Sequence, residues 1–391
     1  MELVEMCLQQ IDELNPRLNA FITVLHEEAI GQAKIAESDI KNGDYRGPLH
    51  GVPIALKDFY DTAGIKTTAG FSGFNNRVPT KDADVVTKLK KAGAIIVGKT
   101  NMHQLGMGTT GLDSSFGPVK NPINDKFIPG GSSSGSAVAI ATDMCFATID
   151  TDAIGSCRLP AACCGVTGFK GSFKLINLKG ILEGESSKDE MIKWFSHVGI
   201  ITRSIHDVGF VLDALLDQSK SKDSFAQALN QRSQLRVGYT KPKGLDDELR
   251  TNFEKSLKSI IDGGHIIVEK MSLPFKNDFD GLEHIKKDRE KVNETAFSDV
   301  DVYILPTLVS NVPLVTESRE PQSLSPLNTA FANYYGLPAV SIPNGFDING
   351  MPTALQIVGR PGEDATVLQF ALECERGDIG KMPRESQGPS I

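Results

Sequence analysis

The chain has 391 residues, 40% of them hydrophobic, with 49 acidic and 41 basic side chains for a formal net charge of −8. That length supports one large domain or two closely packed ones. An acidic chain without a basic block argues against nucleic-acid backbones as its main target, and no apolar run of about 18 residues is present to span a membrane.

Residues 1–40 read as two helices, with Leu3, Cys7, Ile11 and Leu14 on one face of the first and Ala29, Ala33 and Ala36 on one face of the second. The acidic, helical start, Met1-Glu2-Leu3-Val4-Glu5-Met6, is unlike a signal or transit peptide. His50–Lys57 reads as a buried strand, Ala83–Ala92 as a helix ended by Gly93, and Ala94–Val97 as a second strand. Ser136–Cys145 has small side chains suited to a helix packed in the core. Phe146–Asp150 and His197–Ile201 read as strands and Ile205–Leu216 as a helix. Residues 219–234 are polar and read as a linker between an N-terminal half (1–218) and a second α/β segment (235–375). In that segment Arg236–Tyr239, His265–Glu269, Asp301–Leu305, Ala339–Pro343 and Ala354–Val358 read as strands. Asp246–Asp262 and Ala365–Glu375 read as helices, and 376–391 as a trailing tail. The alternation predicts an α/β fold, a mixed β-sheet covered by helices on both sides.

Cysteines stand at 7, 145, 157, 163, 164 and 374 with no C-x-x-C spacing, which argues against a disulfide framework or zinc site and for a reducing cytoplasm. No His-Glu-x-x-His is present, and no Gly-Lys-Ser/Thr follows the glycine-rich run, so neither a zinc hydrolase nor a P-loop is supported. The residues with chemical promise are two serines and a lysine. Ser132 lies in Gly130-Gly131-Ser132-Ser133-Ser134-Gly135-Ser136, and Ser156 in Gly155-Ser156-Cys157-Arg158-Leu159-Pro160. Lys57 ends the apolar run Pro53-Ile54-Ala55-Leu56. A serine hydroxyl needs a base before it can attack, and a lysine becomes one when burial disfavours its charged form. Glycine before Ser156 lets successive N–H groups converge as an oxyanion hole. Asp152 and Arg158 flank that loop and could lock it. Ser133 either bonds near the site or caps the following helix. Singly, each signal has a plainer explanation: a glycine-serine run is usually a turn, and a lysine after a strand is usually solvated.

Together, Lys57, Ser132 and Ser156 with Ser-x-Arg-x-Pro resemble the amidase signature family. The resemblance extends through Thr67-Thr68-Ala69-Gly70, Gly98-Lys99-Thr100-Asn101, Gly165-Val166-Thr167-Gly168-Phe169-Lys170, Gly336-Leu337-Pro338-Ala339 and Leu355-Gln356-Ile357-Val358-Gly359-Arg360-Pro361, most of residues 1–375. Residues 101–111 are most similar to the plant-type fatty acid amide hydrolase branch. The resemblance implies Ser156 as acylating nucleophile, Ser132 as a bridging serine on a cis peptide bond, and Lys57 as the base. It implies an oxyanion hole from the N–H groups of Ala153, Ile154, Gly155 and Ser156, supported by Ser133, Asp152 and Arg158. It implies a small-molecule amide substrate, no metal or organic cofactor and no direct nucleic-acid contact, with a homodimer an open option.

The chain departs from that family close to the nucleophile: Asp150 and Ile154 replace residues that are normally glycine, and Cys157 an aliphatic one. A positive φ at Ile154 would strain the loop, because β-branched residues disfavour it. After Lys170, Gly171-Ser172-Phe173-Lys174-Leu175 replaces Pro-Thr-x-Gly-Arg, and Phe275–Val300 is shorter than the family's helical insert. Three functions are compatible: a stand-alone amidase, the glutamine-hydrolysing component of a tRNA-dependent amidotransferase, and a non-catalytic binding protein. His103 stands where those glutamine-hydrolysing components usually carry an acidic residue, and Gln104 beside it is expected at the surface or behind the site.

Overall fold

A computed structural model of the chain describes residues 1–185, 190–217, 224–231, 233–241, 244–276, 281–318 and 320–377. The elements, in chain order, are α1 (Glu2–Leu18), β1 (Phe21–Val24), α2 (His26–Lys41), β2 (Pro53–Lys57), α3 (Asp84–Lys91), β3 (Ile95–Thr100), α4 (Ser134–Ala141), β4 (Ala147–Asp152), α5 (Arg158–Cys164), β5 (Thr167–Lys170), α6 (Glu190–Phe195), β6 (His197–Thr202), α7 (Ile205–Leu215) and α8 (Phe225–Ala228). They continue with β7 (Arg236–Thr240), α9 (Asp247–Asp262), β8 (Ile266–Lys270), α10 (Leu282–Thr295), β9 (Val302–Pro306), α11 (Ala330–Tyr334), β10 (Ala339–Phe346), β11 (Pro352–Gly359) and α12 (Asp364–Arg376).

Among the described residues the strands form one mixed sheet, in the order β1-β3-β2-β4-β6-β5-β10-β11-β9-β7-β8. β2 runs parallel to both β3 and β4, and β7 parallel to both β8 and β9. The two halves of the chain join edge to edge where β5 pairs antiparallel with β10, Lys170 opposite Ala339. The result is a single α/β domain. The stretch expected as a linker holds α8, with 218–223 and 232 outside the described residues; of the expected tail, 378–391 also lie outside them.

Strand side chains alternate between faces. Ile54, Leu56, Ile149 and Ile200 therefore enter a core with Val85, Val86 and Leu89 of α3 and Val208, Val211 and Leu212 of α7. Ala55 and Ile201 enter the opposite core with α1, α2, α4 and α5. Each fully buried aliphatic side chain contributes about 1.5–3 kcal/mol. The buried face of α1 is one residue round from expectation: Val4, Cys7, Leu8 and Ile11 are inside, and Leu3 is exposed. Alternation from Ala55 sends Lys57, at the end of β2, to the face of α4 and α5.

Candidate active site

Lys57 is fully buried. Its Nζ donates to Ser132 Oγ at 2.7 Å and to Thr151 Oγ1 at 3.0 Å, and lies 5.1 Å from the centre of the Phe59 ring. Burial pushes its pKa down to about 8, opposed first by Asp150 and then by Cys157 and Asp152. Ser132 follows a cis peptide bond from Gly131. Its carbonyl accepts the His103 N–H at 3.0 Å. The Ser133 N–H donates to the Ser156 carbonyl at 3.0 Å, tying the two serine loops together. Ser133 supports the site through this backbone contact; its hydroxyl is buried without a hydrogen-bond partner among the described residues.

The loop after β4 turns at Gly155, whose φ is +128° and where a Cβ would stand 2.3 Å from Thr329 Oγ1. The loop's positive φ falls on this glycine and not on Ile154, so Ile154 is not strained. The Ile154 carbonyl accepts the Thr329 hydroxyl at 2.5 Å, and its side chain packs with Ala153 against the cluster of Phe195, Phe331 and Tyr335. The Gly155 N–H donates to Asp152 Oδ1 at 2.8 Å. That engagement leaves the N–H groups of Ala153, Ile154 and Ser156 without an intramolecular partner among the described residues. Ser156 itself is 5% exposed.

Behind the loop, Arg158 and Asp152 form a fully buried ion pair. Arg158 Nη2 donates to Asp152 Oδ1 at 2.9 Å and Nε to Oδ2 at 3.1 Å. The remaining guanidinium donors reach Gln356 Oε1 at 2.6 Å, Asn333 Oδ1 at 2.7 Å and the Thr329 carbonyl at 3.0 Å. Asn333 Nδ2 returns to Asp152 Oδ1 at 2.9 Å. Burial alone would raise the Asp152 carboxyl, but Arg158 and these donors outweigh it and hold the carboxyl well below the usual range. Removing one partner of such a pair costs about 3–5 kcal/mol. Arg158→Met should therefore lower the urea midpoint by an amount equivalent to about 3 kcal/mol or more; a midpoint within experimental error of wild type would remove Arg158 from this role.

Thr151, Thr329, Asn333 and Gln356 carry the frame of the site, yet the sequence did not single them out as site residues. Lys99 is a second buried lysine, one strand away. It donates to the Tyr60 carbonyl at 2.7 Å and Thr67 Oγ1 at 2.8 Å, and lies 3.4 Å from Asp58 Oδ1. His103 is buried, and Gln104 is turned outward to Asp113. Cys157 is buried with its thiol against Asp152 and the Phe169 carbonyl.

A cavity of about 430 Å³ lies between residues 171–178 and His197, which stands directly across the sheet from Asp152. Phe173 and Trp194 stack at 5.2 Å beside it, with the Arg289 guanidinium 4.1 Å over Phe173. The shortened 275–300 segment thus supplies Arg289 of α10 and Phe275, which stacks on Phe331 at 4.6 Å; 277–280 lie outside the described residues. A larger cavity, about 670 Å³, is lined by Leu229, Ser259, Phe370 and Glu373 and contains none of the candidate catalytic residues. Among the described residues no three His, Cys, Asp or Glu side chains converge as a metal site, and no helix is long and apolar enough to cross a membrane.

A family model described as Amidase matches residues 2–280 and 281–368. The A component of the glutamyl-tRNA(Gln) amidotransferase of Lachnospira eligens is 30% identical, covering 96% of this chain and 95% of the relative. That alignment runs over 463 positions against a chain of 391 residues, so the relative carries segments that this chain lacks. A crystal structure of an amidase is 28% identical with a TM-score of 0.80, covering 95% of each chain. The corresponding A component of the Thermotoga maritima amidotransferase superposes with a TM-score of 0.77 at 25% identity, over 94% of this chain and 89% of that one.

Proposed function

The chain belongs to the amidase family and is an enzyme, a hydrolase of carbon–nitrogen bonds, and we propose that it cleaves a carboxylic amide through Ser156, Ser132 and Lys57. The observation that carries this reading is the fully buried Lys57 donating to Ser132 Oγ at 2.7 Å. With Lys57 neutral, the Ser156 proton passes through Ser132 to Lys57 as Ser156 Oγ attacks the amide carbon. The free N–H groups of Ala153, Ile154 and Ser156 take the developing oxyanion. Lys57 returns the proton through Ser132 to the departing amine, and water cleaves the acyl-enzyme. The unstrained Ile154 and its free N–H favour turnover over a non-catalytic binding role.

For the amide itself, likeness to the A components of amidotransferases over nearly their full length favours glutamine, with ammonia handed to a partner protein. A stand-alone amidase on a lipid-like or aryl amide is the second reading, favoured by residues 101–111 and by the aromatic neighbours of Ile154. Ammonia release from glutamine, measured alone and with the remaining amidotransferase components, separates them. Release stimulated at least tenfold by those components supports the first. Hydrolysis of oleamide or benzamide with no glutaminase activity under either condition supports the second.

A further inference from the structure

Asp150 is a fully buried carboxylate at a position the triad does not use. Leu56 pairs with Ile149 in parallel register, so Lys57 and Asp150 occupy the next rung of neighbouring strands. One Asp150 oxygen, Oδ2, accepts the Thr148 hydroxyl at 2.6 Å; Oδ1 has no hydrogen-bond partner among the described residues. The Asp150 carbonyl accepts the Tyr60 hydroxyl at 2.5 Å, which fixes the strand beneath Lys57.

The groups facing this pair are all accountable. From the turn after β2 comes Tyr60, and from the segment between α4 and β4 Cys145; burial pushes both well up, so both are neutral. At the start of α5 is Cys157, likewise pushed up by burial. On β4 itself is Asp152, whose charge is matched by Arg158. From the loop after β3 comes His103, whose pKa burial lowers, disfavouring a charge there. Among the described residues, Asp150 is thus the one unmatched carboxylate beside Lys57, and Lys57 the one unmatched cation beside Asp150. Burial raises the Asp150 carboxyl; the charge of Lys57 comes first among the influences opposing that rise, ahead of the neighbouring Ser136, Thr148 and Ser133 hydroxyls. A buried charge without a partner is expensive, so each governs the other.

We infer that Asp150 is a positioning residue that sets how readily Lys57 releases and accepts its proton. This rests on Lys57 being the base of the proposed reaction. With the carboxylate present, the ammonium is favoured: free base is scarcer at low pH, but the ammonium that forms as Ser156 attacks is stabilised. Removing the charge reverses both effects. The proton count balances throughout, since one proton moves from Ser156 to Lys57 and returns to the leaving amine, and Asp150 neither gains nor loses one.

The test is the second-order rate of fluorophosphonate labelling from pH 5 to 10 for wild type, Asp150→Asn, Asp150→Gly and Lys57→Met, each checked by thermal melting. The glycine variant covers the case in which asparagine does not fold. The expected result is an acid limb moved to lower pH by about one unit in a folded Asp150 variant, and a high-pH plateau lowered about tenfold. An acid limb and plateau coincident with wild type would overturn the inference while leaving the base intact. Persistence of the wild-type acid limb in Lys57→Met would overturn the assignment of the base, and the inference with it. A role limited to folding would change the melting point and leave the limb in place.

Discussion

Ser156→Ala will abolish covalent labelling by a fluorophosphonate and lower amide turnover by about a millionfold, with the melting temperature unchanged. The hydroxyl is the only atom removed, and Ser156 Oγ makes no hydrogen bond within the described residues that the fold would miss. Its carbonyl contact with the Ser133 N–H is retained, so the loop keeps its shape. Ser132 cannot substitute: it is 1% exposed, held between Lys57 and the 103 loop, and aimed away from solvent. Residual labelling above a few per cent, mapped by peptide mass to another serine, would show that the nucleophile lies elsewhere.

Lys57→Met will reduce labelling and turnover by about 10²–10⁴-fold, the usual worth of a positioned general base, and will also change the shape of the pH profile. In the proposed mechanism the free amine is the active form. With a pKa lowered to about 8, the rate should fall tenfold per unit below that pH. The variant loses this limb. The same shift fixes a sign for stability. The folded chain holds Lys57 with a lower proton affinity than the unfolded chain, so between about pH 8 and the unfolded value near 10.4 the unfolded state binds more protons. Stability contributed at this position therefore rises with pH through that window, and below it the full cost of the buried ammonium is present. On the proposed mechanism this buried amine trades stability for activity. A Lys57→Met enzyme with the wild-type profile would exclude the lysine as base.

Much of this fold was legible because its signals are local. Alternation and length locate β2, β3, β4, β6 and the strands of the second half within a few residues, and the alanine repeat locates α2. Of the elements missed, α5, β1 and β5 have no such signal. Every residue of α5 is buried, so it shows no polar face from which a helical period could be read. β1 and β5 are four residues each. In the site, the serines and Lys57 were found through their glycine-rich and apolar settings. Thr151 carries no such signal, because a hydroxyl's role depends on where a distant lysine ends. Asn333 and Gln356 reach Arg158 from more than 170 residues away, and no local pattern encodes such a meeting. The concern over Ile154 had the right physics at the wrong residue: the positive φ exists, one position later, on glycine.

The clasp around Arg158 also sets a timetable. Lys57, Ser132 and Ser156 leave the ribosome within the first 160 residues, but the groups that hold their loop, Thr329, Asn333 and Gln356, are translated last. Chains emerge N-terminus first at about 5–20 residues per second, so Ser156 waits roughly ten seconds or more without its frame. A half-made polypeptide lacks the side chains that clasp Arg158 and the loop beside it. On the proposed mechanism, competence arrives with the closing strands, as a property of the finished molecule.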